Sequence, residues 1–357
     1  MTQFHLLAIK DIRQETKDCI SIAFDIPEYL KDKYSFQPGQ NITLKLNVEG
    51  EELRRSYSIC SSPLDNELRV AIKKISAGKF STHANHQLQK GDTIEVLPPT
   101  GKFNPHLHAE NTGNYVAFAA GSGITPIISI IKTTLATEAG SRFTLVYGNR
   151  SRGSIIFKEQ LEALKNKYMD RFAVHHVFSR ETTDAYVNHG RINAEKCETL
   201  APWLIDPENL DQAFICGPEE MIFTTRDWLQ KKGLEKSKIH FELFTVPGQQ
   251  IKTKSILSDN NSERAGEVSL KLDGAVISFR LQFDGPSILD ATLQQGADLP
   301  FACKGGVCAT CRAKLIEGKV EMDNNYALES EELEQGYILT CQSHPVSERV
   351  FIDFDEK

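Results

Sequence analysis

The sequence predicts a multidomain chain: an antiparallel β-barrel, an α/β domain built on a parallel sheet, and a C-terminal domain that carries four closely spaced cysteines. Three observations predict it. Up to about residue 107, short strand-like runs alternate with Gly and Pro turns. From 108 to 246, apolar strands alternate with helical patterns, as βαβ units require. The polar stretch 247–266, with Gln-Gln and Asp-Asn-Asn-Ser and few large apolar residues, reads as a linker to a last domain spanning 267–357. A chain of 357 residues with 40% hydrophobic and 25% charged residues is long enough for two or three such domains.

The barrel expectation rests on runs such as Gln40–Leu46, Leu68–Lys74 and Thr93–Leu97. In the second segment the alternation reads Tyr115–Ala120 then Ile127–Thr137, and Phe143–Tyr147 then Phe157–Lys167. The last segment holds Cys303-Lys-Gly-Gly-Val-Cys308-Ala-Thr-Cys311, with Cys341 further on. This C-x4-C-x2-C…C spacing is that of a plant-type [2Fe-2S] cluster, in which each iron takes two thiolates. Gly305 and Gly306 suit a backbone that must wrap a cluster, because Gly tolerates positive φ. A structural zinc site would favour paired Cys-x-x-Cys units instead. Cys303, Cys308, Cys311 and Cys341 are therefore the expected metal ligands.

Five further stretches suggest nucleotide-like ligands. In Arg54-Arg-Ser-Tyr-Ser-Ile-Cys-Ser-Ser62 the strand period puts Arg55 and Tyr57 on one face. A guanidinium fork matches a phosphate, and a tyrosine ring packs on a flat conjugated ring. Gly78-Lys-Phe-Ser-Thr82 precedes a helical stretch whose first N–H groups suit a pyrophosphate. Ala119-Ala-Gly-Ser-Gly-Ile-Thr-Pro126 ends a strand and opens a helix, with Thr125 expected as N-cap and Pro126 at the first helical position. The full Gly-x-Gly-x-x-Gly fingerprint is absent. The strand Gln212–Ile215 runs into Cys216-Gly217-Pro218, at the kind of sheet end where ligands sit. Ser179-Arg180 stands at the end of the strand Phe172–Phe178, where an NAD site often carries an acid; a hydroxyl and a guanidinium suit a 2′-phosphate instead.

Taken in order, these motifs resemble the ferredoxin–NADP reductase superfamily over the whole chain. Arg55-Ser-Tyr57-Ser58 looks like that family's flavin motif, and Gly78-x-x-Ser81 like its flavin phosphate loop. Gly121-x-Gly123-x-Thr125-Pro126 and Cys216-Gly217-Pro218 resemble its nicotinamide-nucleotide motifs. The cysteines resemble plant-type ferredoxin, which implies an α+β ferredoxin-like (β-grasp) fold for the last domain. With Tyr147-Gly-Asn-Arg-Ser151, Val177-Phe-Ser-Arg-Glu181 and His189-Gly-Arg-Ile192, the order most resembles the reductase subunits of phenylacetyl-CoA epoxidases; reductases of other hydroxylases and of hybrid cluster proteins share the layout. The resemblance implies an NAD(P)H-dependent reductase that feeds a separate oxygenase, with an electron-transfer subunit that oxidises no nicotinamide as the alternative. FAD is implied over FMN, and NADPH is the expected nucleotide, with NADH possible. It also implies that Arg55, Tyr57 and Ser58 hold the flavin with Gly78, Ser81 and Thr82, and that Cys216 lies near the nicotinamide. Glu242 and Phe244 would approach the flavin ring, or simply close the sheet. No side chain stands out as a general acid or base. Flavin must lie between the other two carriers, since a nicotinamide gives two electrons at once and a [2Fe-2S] cluster accepts one.

Charge and composition set the surroundings. From Glu267 to Lys357 there are 16 Asp and Glu against 8 Lys and Arg, a net of −8; the whole chain is −7, so residues 1–266 carry +1. The densest acidic run, Glu329-Ser-Glu-Glu-Leu-Glu334, reads as a face that steers the cluster domain onto a basic partner, or as a solvated helix surface. The longest apolar candidate, Tyr115 to Ile131, is broken by Gly121, Gly123 and Pro126, so no membrane span is expected. The start of the chain shows no secretory pattern. Cys19, Cys60, Cys197 and Cys216 are scattered, which suits a reducing cytoplasm. Neither a nucleic acid nor a membrane is an expected partner. His175 and His176 fall in a strand and are expected to be structural.

Overall fold

The computed structural model describes residues 3–244 and 264–356. Residues 247–263 of the expected linker lie outside them; its last residues, Ala265 and Gly266, already belong to a strand. The described residues fall into two compact units, Phe4–Phe244 and residues 264–356. No helix among the described residues is long and apolar enough to cross a membrane.

The first unit begins with six strands: β1 (His5–Thr16), β2 (Cys19–Asp25), β3 (Asn41–Val48), β4 (Glu51–Ser58), β5 (Leu68–Lys73) and β6 (Thr93–Val96). They form an antiparallel sheet in the order β4-β3-β6-β1-β2-β5. A bridge between Ile59 and Val70 brings its two edges together, and the Cys60 N–H donates to Arg69 O at 2.8 Å, so the sheet curls into a barrel. Inward residues such as Leu7, Ile22, Leu44 and Ile72 fill it. Helix α1 (Lys79–Gln87) follows β5 and packs Phe80 and Ala84 into the same core.

The second half of this unit is a five-stranded parallel sheet of β7 (Asn114–Ala120), β8 (Arg142–Asn149), β9 (Phe172–Phe178), β10 (Gln212–Gly217) and β11 (Ile239–Leu243). Helices α2 (Ile124–Thr137), α3 (Lys158–Lys167), α4 (Ala194–Leu204) and α5 (Glu219–Lys231) provide the crossovers. The strand order β11-β10-β7-β8-β9 reverses direction between β7 and β10. In open α/β sheets, ligands bind outside the strand ends at such a switch point. His175 and His176 lie on the edge strand β9, as expected; His176 stacks near Phe178, and burial holds its imidazole at about 4, so it stays neutral.

Barrel and parallel sheet share one unit because α2 seals against the barrel. Ser129 donates to Ser61 O at 2.6 Å, the hydroxyls of Ser62 and Thr133 meet at 2.9 Å, and Lys132 pairs with Asp65. On the chain between the two, Phe103 meets Phe214 edge to face at 5.8 Å. Its carbonyl oxygen would lie 1.8 Å from any Cβ at Gly39, whose φ is +91°, so only glycine fits there.

The second unit is a mixed sheet of β12 (Ala265–Leu272), β13 (Ala275–Gln282), β14 (Arg312–Glu317), β16 (Tyr337–Leu339) and β18 (Arg349–Asp353), in the order β13-β12-β18-β14-β16. The pair β15 (Val320–Met322) and β17 (Ser343–Pro345) stands apart, and helices α6 (Ile288–Gln294) and α7 (Ser330–Glu334) complete it. Ile288 and Leu289 of α6 share one core with Val268, Leu270 and Ile352, the arrangement of a sheet grasping one helix.

Candidate functional site

The two glycine motifs meet backbone to backbone at the switch point. Gly121–Gly123 forms a tight 3-10 turn off the end of β7, with Gly121 at φ +56°. A Cβ on Gly123 would lie 2.0 Å from Cys216 O, and one on Gly217 2.6 Å from Met221 Cε and 3.1 Å from Ala120 Cβ. Only glycine lets the turn and the end of β10 touch. The expected cap is corrected. The turn runs straight into the helix, so Gly123 takes the N-cap position, Thr125 is the second helical residue and Pro126 the third. Thr125 Oγ1 donates back to Ser122 O at 3.0 Å and caps no N–H. Pro126 is still tolerated, because the first four helical N–H groups have no intrahelical partner.

Of the segment Arg54–Ser62, Ser58 reaches the end of the parallel sheet. Strand β4 sets Arg55, exposed, and Tyr57, half-buried, on one face; they pair with Leu44 and Ile42 of β3. Arg55 donates one N–H to Arg54 O at 2.7 Å. Tyr57 lies 5.6 Å from Phe80 of α1, which ties this strand to the helix that starts after Gly78. Ser81 Oγ accepts from Ile75 N and donates to Gly78 O, fixing the turn before α1. A Cβ on Gly78 would sit 2.6 Å from that Oγ. A cavity of about 320 Å³ opens here, lined by Ala77, Gly78, Lys79, Thr82 and His83. Buried Ser58 donates to Glu242 Oε2 at 2.8 Å, and Glu242 pairs in register with Cys216. Burial, then the Glu242 carboxylate, pushes the Cys216 thiol well up, so it stays neutral. Phe244, just beyond β11, is part-exposed.

At the end of β9, Ser179 N–H donates to Asn149 O and Arg180 N–H to Arg150 O, both at 2.9 Å. Ser179 and exposed Arg180 therefore flank the Tyr147–Ser151 segment, while Tyr147 donates to Gly121 O at 2.9 Å. Two residues in this region escaped sequence reasoning. Lys73, at the end of β5, reaches across so that its Nζ lies 3.1 Å from where a Cβ on Gly121 would stand. Burial, then the charge of Arg150, lowers its pKa. Asn149 is buried with neither carboxamide atom in a hydrogen bond of ordinary geometry. The one signal for Lys73 was a cation closing an apolar strand; nothing marked Asn149.

The four cysteines of the second unit carry free thiols, as do the other four of the chain. Cys303 contacts Cys308, Cys341 contacts Cys311, and Cys303 also reaches Cys341. Among the described residues no three such side chains gather around one point as ligands of a single ion. Four cysteine sulfurs brought side by side are what a binuclear cluster needs. The thiol of Cys303 beside it, and burial, push the Cys308 thiol well up, so a bound metal would favour its thiolate form. The loop wraps as expected, but with a different residue pattern. Positive φ falls on Lys304, Gly306 and Ala309, not on Gly305, which donates its N–H to Cys303 Sγ at 3.3 Å. The acidic run also needs correction: Glu331 and Glu334 are exposed, but Glu332 is buried, bonded to Arg312 and to the Glu329 N–H.

Three family models match the chain in the same order: an oxidoreductase FAD-binding domain at residues 6–104, an oxidoreductase NAD-binding domain at 118–227 and a 2Fe-2S iron-sulfur cluster binding domain at 270–346. One of the subunits of the 1,2-phenylacetyl-CoA epoxidase of Escherichia coli (strain K12) is 46% identical over 100% of this chain and 99% of its own length. The chain belongs to the ferredoxin–NADP reductase superfamily. The ferredoxin reductase component of 3-ketosteroid-9-alpha-monooxygenase from Rhodococcus rhodochrous is 35% identical, covering 98% and 96% of the two chains. The structure of phthalate dioxygenase reductase shares the fold with a TM-score of 0.59 at 22% identity, covering 98% of each chain. This reductase thus has the three-part architecture expected for FAD, a nicotinamide nucleotide and a [2Fe-2S] cluster. The close approach at Gly123 gives a direct test of its nucleotide site. Gly123→Ala should weaken nicotinamide-nucleotide binding at least tenfold while bound flavin keeps its absorbance; unchanged affinity in a nucleotide titration would show that the contact with Cys216 does not shape the site.

Proposed function

We propose that this reductase oxidises NADPH, passes the electrons through FAD to the [2Fe-2S] cluster, and delivers them singly to a phenylacetyl-CoA epoxidase in the cytoplasm. The observation that carries the electron-transfer reading is the junction of Ser58, Glu242 and Cys216, which brings the flavin strand to the ends of the nucleotide sheet. The choice of epoxidase is supported by the full-length similarity to the Escherichia coli protein. Eight free cysteines suit a reducing compartment.

In this reading FAD, when bound, supplies the conversion between a two-electron donor and a one-electron acceptor. The chain's own residues bind and orient. Arg55, with Gly78, Ser81 and Thr82, holds the flavin phosphates, while Tyr57 packs on the ring and Ser58 fixes its edge against Glu242. Gly121, Gly123, Thr125 and Pro126 present the start of α2 to the nucleotide pyrophosphate, with Lys73 and Arg150 as facing cations. Cys216, Gly217 and Pro218 form the wall beside the nicotinamide, where a neutral thiol adds no charge. Ser179 and Arg180 take the 2′-phosphate. Cys303, Cys308, Cys311 and Cys341 hold the cluster.

Purified anaerobically, the protein should contain one flavin, two irons and two labile sulfides per chain, to about the nearest whole number. Cys308→Ser should abolish the cluster yet leave flavin bleaching by NADPH intact; zinc in place of iron, or loss of bleaching, would refute this division of labour. Arg180→Ala should raise the KM for NADPH far more than that for NADH, and equal effects would remove Arg180 from the 2′-phosphate site. Electron delivery to the oxygenase should slow as salt rises, because exposed charges are screened over about 8 Å at physiological ionic strength. Neutralising Glu331 and Glu334 should reproduce that slowing at low salt; Glu332 is left intact because it is buried and paired. Turnover insensitive to both salt and substitution would make the acidic face a solubility feature only.

A further inference from the structure

The carboxamide of Gln342 stands between the two parts of the cysteine site. Gln342 directly follows Cys341 and is only 5% exposed. Its Nε2 donates to Lys304 O at 3.0 Å, inside the loop that carries the other three cysteines, and to Cys341 O at 2.9 Å. The same nitrogen lies 3.7 Å from Cys341 Sγ. Its Oε1 accepts from Asn324 Nδ2 at 3.2 Å. These partners fix the orientation of the amide, since reversing it would turn Oε1 onto two carbonyl oxygens. With two hydrogens on Nε2, one serves Lys304 O and the other is shared between the carbonyl and the sulfur of Cys341.

The surroundings hold this amide in place. The Asp323 N–H donates to Gln342 O at 2.9 Å, and the Tyr326 N–H to Gly306 O at 3.0 Å. At Gly306, where φ is +76°, a Cβ would stand 3.2 Å from Gln342 Cγ and 2.9 Å from Asn324 O. The glutamine, the asparagine and the glycine of the loop therefore form one packed polar layer behind Cys341.

We propose that Gln342 is a positioning residue that raises the reduction potential of the cluster by directing an N–H at the Cys341 sulfur. The proposal rests on the reading that the four cysteines hold a [2Fe-2S] cluster. On reduction the cluster gains one electron and no bond of the glutamine changes. The added negative charge is spread partly onto the sulfurs, so an N–H dipole aimed at one of them stabilises the reduced form more than the oxidised form. Removing the donor should make electron uptake less favourable. For a one-electron couple, each tenfold loss in the equilibrium constant lowers the potential by about 59 mV.

The test is a redox titration of the full-length holoprotein, with the reduced cluster followed by electron paramagnetic resonance and the flavin followed by absorbance. Gln342→Met keeps an unbranched chain of similar length and removes the donor. It should lower the cluster midpoint by an amount equal to a threefold to tenfold loss in electron uptake, about 30 to 60 mV, while the flavin midpoints stay put. A cluster present at full iron content with an unchanged or higher midpoint overturns the proposal. If Gln342→Met does not assemble the cluster, Asn324→Ala carries the test, because it removes the side chain that holds Oε1 of Gln342 and leaves Gly306 and the four cysteines in place. A lowered midpoint in that variant supports the proposal and an unchanged one overturns it. Wild-type protein that holds no iron overturns the underlying reading and this proposal with it.

Discussion

Hydride transfer needs two flat rings held against each other, so a reductase of this kind depends on how the flavin strand is fixed to the nucleotide sheet. The hydrogen bond from Ser58 to Glu242 makes that junction at the site itself. Away from the site, α2 makes it again through Ser129, Lys132 and Thr133 on the barrel loop from Ser61 to Asp65. These contacts are polar and directional. Hydrophobic contact sets how closely two surfaces lie, whereas buried hydroxyl-to-carbonyl bonds fix register to a fraction of an ångström. Phe103 on Phe214 adds the apolar part of the same junction.

The absence of side chains matters as much as their presence. Gly123 could carry no Cβ beside Cys216 O, and Gly39 none beside Phe103 O. Both are places where one backbone must lie directly on another, the first at the end of β10 and the second beside Ile130 of α2. Local sequence marks such positions as glycine but cannot say what approaches them, because the approaching strand comes from far along the chain.

That separation explains what was legible in the sequence. Strand and helix periods are local, so β5, β9 and most of β7 and β10 fall where alternation puts them, and the cysteine spacing needs no tertiary information at all. The start of α2 was misjudged by rules for an abrupt helix start, whereas the chain enters through a 3-10 turn that moves the cap to Gly123. Glu332 reads as one more surface acid by composition; its burial against Arg312 depends on how a five-residue helix sits on β14. Lys73 and Asn149 become part of the site only because two distant strand ends are brought to Gly121.

The cysteine loop shows how a cofactor and its protein share the work of folding. Lys304 and Ala309 are held at positive φ, a conformation that costs a non-glycine residue about 1 kcal/mol or more. Cys308 is buried beside the Cys303 thiol in a setting that resists its ionisation. Neither feature favours the loop by itself. What compensates within the protein is a hydrogen-bonded frame: Gly305 N–H on Cys303, Thr340 N–H and hydroxyl on Cys311 O, and Gln342 across Lys304 and Cys341. A frame of this kind orders the thiols before metal arrives, so less of the binding free energy is spent on folding the loop. Two of these donors, Gly305 N–H and Gln342 Nε2, also lie 3.3 and 3.7 Å from cysteine sulfurs, so the same bonds that hold the loop would act on the charge of a bound cluster.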